Sequence, residues 1–182
     1  MSKIENGNER GFVFKIVVIG DGAVGKTSLI KKYTQGTFQK DYIKTLGAQF
    51  SKYDEEINGD NVKLFLWDIA GQAEFSFMRG TFFKGSKAAI IVFSHTDEES
   101  YMHISEWHDE FVKHCGNQPV VLFGNKIDLV DGNDELSEER VQSIVKKRDF
   151  LGYYKTSAKT GQGVFKAFRA IIERLYEQYK DS

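Results

Sequence analysis

Apolar residues fall along this chain in two rhythms. Short, nearly continuous apolar runs stand at Phe12 to Ile19 (FVFKIVVI), Val62 to Trp67 (VKLFLW), Ala88 to Phe93 (AAIIVF) and Val120 to Phe123 (VVLF). Their branched and aromatic side chains suit buried strands. Elsewhere apolar residues recur at three- and four-residue spacing, most clearly at Val164, Phe168, Ile171, Ile172, Leu175 and Tyr179, which predicts a C-terminal helix. Strands alternating with helices predict an α/β fold built on a mostly parallel sheet. The segment Gln49 to Ile57, then Asn58-Gly59, then Val62 onward reads as a hairpin, because Asn-Gly supplies the positive φ angles of a tight turn; one edge strand therefore runs antiparallel. A further helix is predicted from Ser137, whose hydroxyl can cap it, with Glu138 and Glu139 in the first turn and Lys146, Lys147 and Arg148 in the last, where they complement the helix dipole. Tyr153 and Tyr154 are assigned to another strand.

Composition narrows the picture. At 182 residues, 41% of them hydrophobic, the chain fits one domain with a full core, and no linker, repeat or low-complexity tract divides it. Residues 12–180 are expected to form that domain and residues 1–11 a flexible arm. The net charge is −1, with cations and anions interspersed, so no basic stripe points to nucleic acid. The single Cys115 rules out an internal disulfide and is ordinary for the cytosol. Ser2 stands where N-myristoylation would need glycine, the last residues EQYKDS offer no cysteine for prenylation, and the longest apolar run is far below the roughly 20 residues that cross a bilayer. A cytoplasmic monomer is expected, peripheral to a membrane only if a lipidated tail is missing from this chain.

Gly20 to Thr27 reads GDGAVGKT, the eight-residue pattern of a P-loop, set between a predicted strand and a helical pattern at Lys26 to Thr34. In such a loop backbone N–H groups curl around phosphates, and the following helix aims its positive end at them. Gly20 and Gly25 permit the turn, Lys26 can reach the outer phosphates, and the Thr27 hydroxyl can ligate the Mg²⁺ that travels with a nucleoside triphosphate. Taken alone, the loop fits ATPases, GTPases and small-molecule kinases alike.

The base is addressed by Asn125-Lys126-Ile127-Asp128, which follows a strand and so sits at the carboxyl edge of the sheet. A carboxylate there, that of Asp128, can accept both guanine donors, the ring N–H and the exocyclic amino group. Adenine lacks that ring N–H, so a buried charge would be left unpaired. By itself NKID is equally a polar exit from a strand. Asp68, in WDIAGQ, ends another strand and is placed like the acidic residue that supports Mg²⁺, or else is a strand-end turn aspartate. Gly71 offers a backbone N–H for close approach to the outermost phosphate, and Gln72 follows it.

Taken together, these stretches resemble the Ras superfamily of small GTPases from Phe12 to Tyr179: GDGAVGKT, Thr45 in KTLGAQF, DIAGQ, NKID and TSAK at Thr156 to Lys159 stand in the family's order. The resemblance implies a P-loop G domain with a six-stranded, mostly parallel sheet and helices on both faces. It implies a nucleotide site made of Gly22, Ala23, Val24, Gly25, Lys26, Thr27 and Ser28 around the phosphates, with Gly71. Phe38 would stack on the guanine, and the stem of Lys126 would cover its face. Asn125, Asp128, Ser157, Ala158 and Lys159 would complete the base pocket. Thr45 would ligate Mg²⁺ and sense the γ-phosphate, with Tyr42 over it; Thr27 and Asp68 complete the metal set. Within the superfamily WDIAGQ, FFKGS and FSHTDEES are similar to Rab proteins, whose aromatic effector trio corresponds to Phe50, Trp67 and Phe82. The chain departs from Rabs at LGAQF (IGVDF is usual), at Ile69 for threonine and at Ala73 for glutamate; a Ras-like member stays open.

In that family Gln72 places the attacking water, and Gly22 leaves room for it. No arginine occurs between Gln35 and Phe50, so that loop supplies no cis arginine finger. Slow intrinsic hydrolysis is expected, on the order of 10⁻⁴ s⁻¹, raised about 10³- to 10⁵-fold by an activating protein's arginine. Exchange factors and effectors are implied as further partners. Two other classes stand beside this one: a GTP-bound interaction module with negligible hydrolysis, and a metabolite kinase. Of the cluster Phe75, Phe77, Met78, Phe82 and Phe83, about half is assigned to the core. His103, His108 and His114, with Cys115, match no metal spacing and are assigned to solvated helix positions.

Overall fold

The structure, a computed structural model, describes residues 11–41, 44–131 and 136–182. The expected N-terminal arm lies outside them save for Gly11, and so does Tyr42. Six strands form one sheet: β1 (Gly11–Ile19), β2 (Ala48–Ile57), β3 (Asp60–Ile69), β4 (Ala88–Ser94), β5 (Val120–Asn125) and β6 (Tyr153–Lys155), in the order β2-β3-β1-β4-β5-β6. Only the β2–β3 pair is antiparallel. Asn58 (φ 53°) and Gly59 (φ 88°) close that hairpin with both central residues at positive φ, and Ile57 pairs with Asp60. The Asn-Gly dipeptide fixes the register as well as the turn.

Among the described residues six α-helices connect or follow the strands: α1 (Lys26–Gln35), α2 (Ser76–Phe83), α3 (Glu98–Met102), α4 (Ile104–Cys115), α5 (Glu138–Arg148) and α6 (Val164–Tyr179). Ser137 caps α5, its hydroxyl accepting from the Arg140 N–H at 3.2 Å. Alternate residues of the central strands point to opposite layers. Ile16, Val18, Ile90 and Val92 join Leu29, Tyr33, Phe168 and Ile171 of α1 and α6 in one core. Val17, Ile19, Ile91 and Phe93 join Phe83, Trp107, Phe111 and Val141 of α2, α4 and α5 in the other. Every residue of β4 is buried, as a strand covered on both faces must be. The hydrophobic cluster after Gln72 divides: Phe83 is fully buried, Phe75, Met78 and Phe82 are partly buried, and Phe77 is 81% exposed.

From β1 the chain crosses to β2 and β3 on one side and to β4, β5 and β6 on the other. The connections leaving the carboxyl ends of β1, β3, β5 and β6 therefore meet above one crevice, where open α/β sheets bind ligands.

Candidate functional site

The loop at residues 20–25 turns through positive φ at Gly20 (138°), Ala23 (63°) and Gly25 (104°) before α1 begins. A Cβ on Gly20 would lie 2.1 Å from the Val92 carbonyl oxygen and one on Gly25 2.3 Å from Asn125 Nδ2, so packing as well as conformation demands glycine there. Lys26, buried at the first position of α1, donates from Nζ to the carbonyls of Gly20 (2.7 Å) and Asp21 (2.6 Å). Burial pulls its ammonium down to about 8, opposed by the carboxylates of Asp68 and Asp21.

Beside it three oxygen ligands gather from three segments. The Thr27 hydroxyl donates to Asp68 Oδ2 and lies 3.0 Å from the Thr45 hydroxyl, which itself reaches Asp68 Oδ2 at 3.4 Å. Asp68 is buried at the end of β3, its Oδ1 has no hydrogen-bond partner among the described residues, and burial raises its carboxyl above the usual range. A buried carboxylate with an orphaned oxygen flanked by two hydroxyls is a hard, oxygen-only donor set, which fits Mg²⁺.

Gly71 lies against the loop so closely that a Cβ would stand 2.3 Å from the Asp21 carbonyl carbon and the Gly22 nitrogen. A Cβ on Gly22 would stand 3.0 Å from Gln72 Nε2. The Gln72 amide thus faces the P-loop at Gly22, where no side chain stands in its way.

The base side is braced on the phosphate side. Asn125, fully buried, donates from Nδ2 to the Val24 carbonyl (2.9 Å) and accepts at Oδ1 from the Thr156 hydroxyl (3.2 Å) and the Ala158 N–H (3.3 Å). Lys126, at φ 64°, donates to the Ala23 carbonyl at 2.6 Å, and burial lowers its pKa. Asp128 is held by the Ser157 hydroxyl, which donates to its Oδ1 at 2.7 Å.

These groups surround one cavity of about 440 Å³. Gly22, Ala23, Gly25, Lys26, Thr27 and Ser28 line it on the phosphate side, with Thr45, Asp68, Gly71 and Gln72; Phe38, Asn125, Lys126, Asp128, Ala158 and Lys159 line the rest. Val24 and Ser157 do not: both are buried behind the wall, one giving a carbonyl to Asn125 and the other fixing Asp128. Gln39, Lys40 and Asp41 line the cavity without having been singled out in the sequence, because the stretch after α1 carries neither periodicity nor a motif, and Lys31 of α1 lines it from beyond the P-loop string.

His103 and His108 are partly buried and make specific contacts, which corrects the sequence reading for those two; His114 is an exposed helix position, as expected. His103, at the junction of α3 and α4, places Nδ1 2.6 Å from Asp21 Oδ2, and the hydrogen bond raises its pKa. His108 packs edge-on against Phe150, and His114 lies under Gly80 against Phe83. Away from the cavity Phe50, Trp67 and Phe82 form a continuous aromatic strip, with ring centroids 5.5 and 5.9 Å apart. Phe50 is 57% exposed, and Lys15 Nζ lies 4.4 Å over Trp67.

Residues 15–177 match the model of the Ras family. The chain is 37% identical to human Ras-related protein Rab-30 over 172 residues, 94% of this chain and 84% of that protein. It is 35% identical to rat Ras-related protein Rab-9A over 168 residues (90% and 83%), and 34% identical to the GTP-binding protein yptV5 of Volvox carteri over 174 residues (93% and 85%). With the GDGAVGKT loop, the Thr27–Thr45–Asp68 cluster and the braced NKID segment gathered in one crevice, this chain belongs to the Ras family of small GTPases and is similar to Rab proteins.

Proposed function

We propose that the protein is a switch that binds GTP, hydrolyses it to GDP and phosphate, and presents different surfaces in the two states. The observation that carries the hydrolytic part is the Gln72 amide set opposite Gly22 in the cavity that also holds Lys26 and Asp128. Asp128, fixed by Ser157, accepts both guanine donors; Phe38 and the Lys126 stem cover the base. Lys26 exchanges its carbonyl partners for the outer phosphate oxygens, a ready exchange for a buried ammonium that donates to two neutral acceptors. Mg²⁺, held by Thr27, Thr45 and Asp68, supplies charge neutralisation at the phosphates when bound. Gln72 aligns a water with the γ-phosphorus; as the water oxygen bonds to that phosphorus, its bond to the β–γ bridging oxygen breaks, GDP leaves with the bridging oxygen, and the water's proton passes to an oxygen of the phosphate formed. Phosphoryl transfer asks little covalent chemistry of the protein, so alignment and charge set the rate.

With GTP bound, the Thr45 hydroxyl and the Gly71 N–H are tied to the γ-phosphate end of the site. Cleavage removes those ties and both segments relax. The strip Phe50, Trp67 and Phe82 is the reading surface, consistent with a Rab-like role in membrane traffic served by exchange factors, an activating protein and effectors. No helix among the described residues is long and apolar enough to cross a membrane.

Single-turnover hydrolysis by Gln72→Leu tests the enzyme: the rate falls while GTP affinity stays, and an unchanged rate refutes catalysis by Gln72 and favours a binding module. Protection from thermal unfolding by GTP but not ATP tests the base assignment; equal protection refutes it. Trp67→Ala is expected to weaken a GTP-state partner and leave nucleotide affinity intact, whereas equal loss of both removes the surface assignment.

A further inference from the structure

Outside the cavity, five side chains from α2, α4 and the P-loop form a connected group to which the reading above gives no role. Trp107 of α4 is 4% exposed, and its indole N–H donates to Asp21 Oδ1 at 2.8 Å. The other Asp21 oxygen meets His103. On the Trp107 ring lies the guanidinium of Arg79, 4.0 Å from its centroid. Arg79, 9% exposed, sends Nη1 to Glu110 Oε2 (3.1 Å) and Nη2 to the main-chain carbonyls of Gly71 (3.2 Å) and Gln72 (3.1 Å).

Those two carbonyls belong to the peptide units on either side of the Gln72 Cα. One nitrogen bonded to both pins the two planes and so sets the backbone of Gln72 (φ −73°, ψ 141°), which in turn aims its Cα–Cβ bond. Only a planar fork with several donors can hold two carbonyls and a carboxylate while stacking on an indole; an ammonium cannot. The indole is fixed from its far edge by Asp21, a P-loop residue.

We infer that Arg79, seated on Trp107 and Glu110, is a positioning residue for Gln72, and that Asp21 through Trp107 registers that position to the P-loop. The inference rests on Gln72 as the water-placing residue. It differs from a packing role in one respect: removing Arg79 harms hydrolysis only while Gln72 is there to be aimed.

The test is single-turnover hydrolysis by the full chain loaded with GTP, for Arg79→Gln and Trp107→Phe, each alone and combined with Gln72→Leu, with GTP and GDP dissociation constants and Tm measured alongside. Arg79→Gln is expected to slow hydrolysis roughly tenfold, and Trp107→Phe, which keeps a ring but loses the N–H, roughly threefold, on the sensitivity of such reactions to misplacement. Neither residue lines the cavity, so nucleotide affinities stay within about twofold, well short of one hydrogen bond's worth. In the Gln72→Leu background neither substitution adds a further loss. An unaltered rate in Arg79→Gln, or the same proportional loss with Leu at position 72, overturns the inference. If Arg79→Gln does not stay folded at the assay temperature, Trp107→Phe decides by the same two criteria. If Gln72→Leu itself leaves the rate unaltered, the catalytic assignment has failed instead, and the single-variant rates show which of the two it was.

Discussion

Ser157→Ala deletes one oxygen from a residue that never touches the cavity, yet it is expected to weaken guanine nucleotides specifically. The hydroxyl is fully buried, donates to Asp128 Oδ1 at 2.7 Å and accepts from the Thr160 N–H at 3.0 Å. Asp128 is only partly buried and Thr160 is exposed, so water replaces both bonds there and folding loses little. The cost falls on binding, when the base covers Asp128 and the carboxylate must hold its direction without its donor. A hydrogen bond to a charged group contributes about 1.5–3 kcal/mol. At about 1.4 kcal/mol per factor of ten this is a roughly 10- to 150-fold rise in Kd. The assay is titration calorimetry or displacement of a fluorescent nucleotide, with GTP, GDP and ATP side by side. GTP and GDP should weaken equally, since the lost contact lies on the base side, and ATP should not change. A loss confined to GTP would place the effect at the γ-phosphate, and no loss at all would show that Asp128 holds its direction unaided; either refutes the reasoning.

Gly22→Ala puts a methyl 3.0 Å from Gln72 Nε2. Because that amide ends a flexible side chain it swings away, so single-turnover hydrolysis should fall at least about tenfold with Tm and GTP affinity kept; a normal rate would show that Gln72 works from elsewhere. Phe168→Ala removes a fully buried ring that stacks on Tyr33 at 4.4 Å and meets Phe123 at 5.3 Å. It should cost about 3–5 kcal/mol, a fall in Tm of roughly 6–20 °C by calorimetry; a shift of a degree or two would mean that the core refills the space. The hydrogen bond that the protonated His103 donates to Asp21 raises its pKa, so its stabilisation is complete below about pH 6.5, where a free histidine titrates, and is lost as pH rises through the higher folded value. The Tm of the native protein should therefore decline relative to His103→Asn above about pH 6.5, and parallel curves would exclude the pair as a titrating contact.

The elements legible in the sequence were those whose cause is local. Asn58-Gly59 announced its hairpin because both residues accept positive φ, and α6 announced itself because Val164, Phe168, Ile171 and Leu175 keep one face for sixteen residues. The phosphate loop and the base motif were legible for a related reason: each is a contiguous string whose backbone chemistry is written in its own residues. The bonds that aim those strings were not. Asp21 meets His103 and Trp107 across 82 and 86 positions, and nothing in the composition of α4 distinguishes a histidine facing the P-loop from one facing water. Arg79 was not singled out in the sequence, because two of its partners are main-chain carbonyls, which every residue possesses, and the others, Glu110 and Trp107, lie about thirty positions away. Ser157 was found by family pattern, but its service to Asp128 rather than to a ligand becomes visible only when β5 and β6 lie side by side.

Asn125 has one further consequence. Its amide fastens the P-loop carbonyl of Val24 to the Ala158 N–H, so on the proposed reading the phosphate and base halves of the cavity are braced directly against each other. A nucleoside alone or pyrophosphate alone then engages half of a site whose other half is already in place. Joining them turns the second engagement into an intramolecular event at high effective concentration. The protein can therefore hold its nucleotide far more tightly than either fragment, and anything that pries the Asn125 strut loose releases both ends at once.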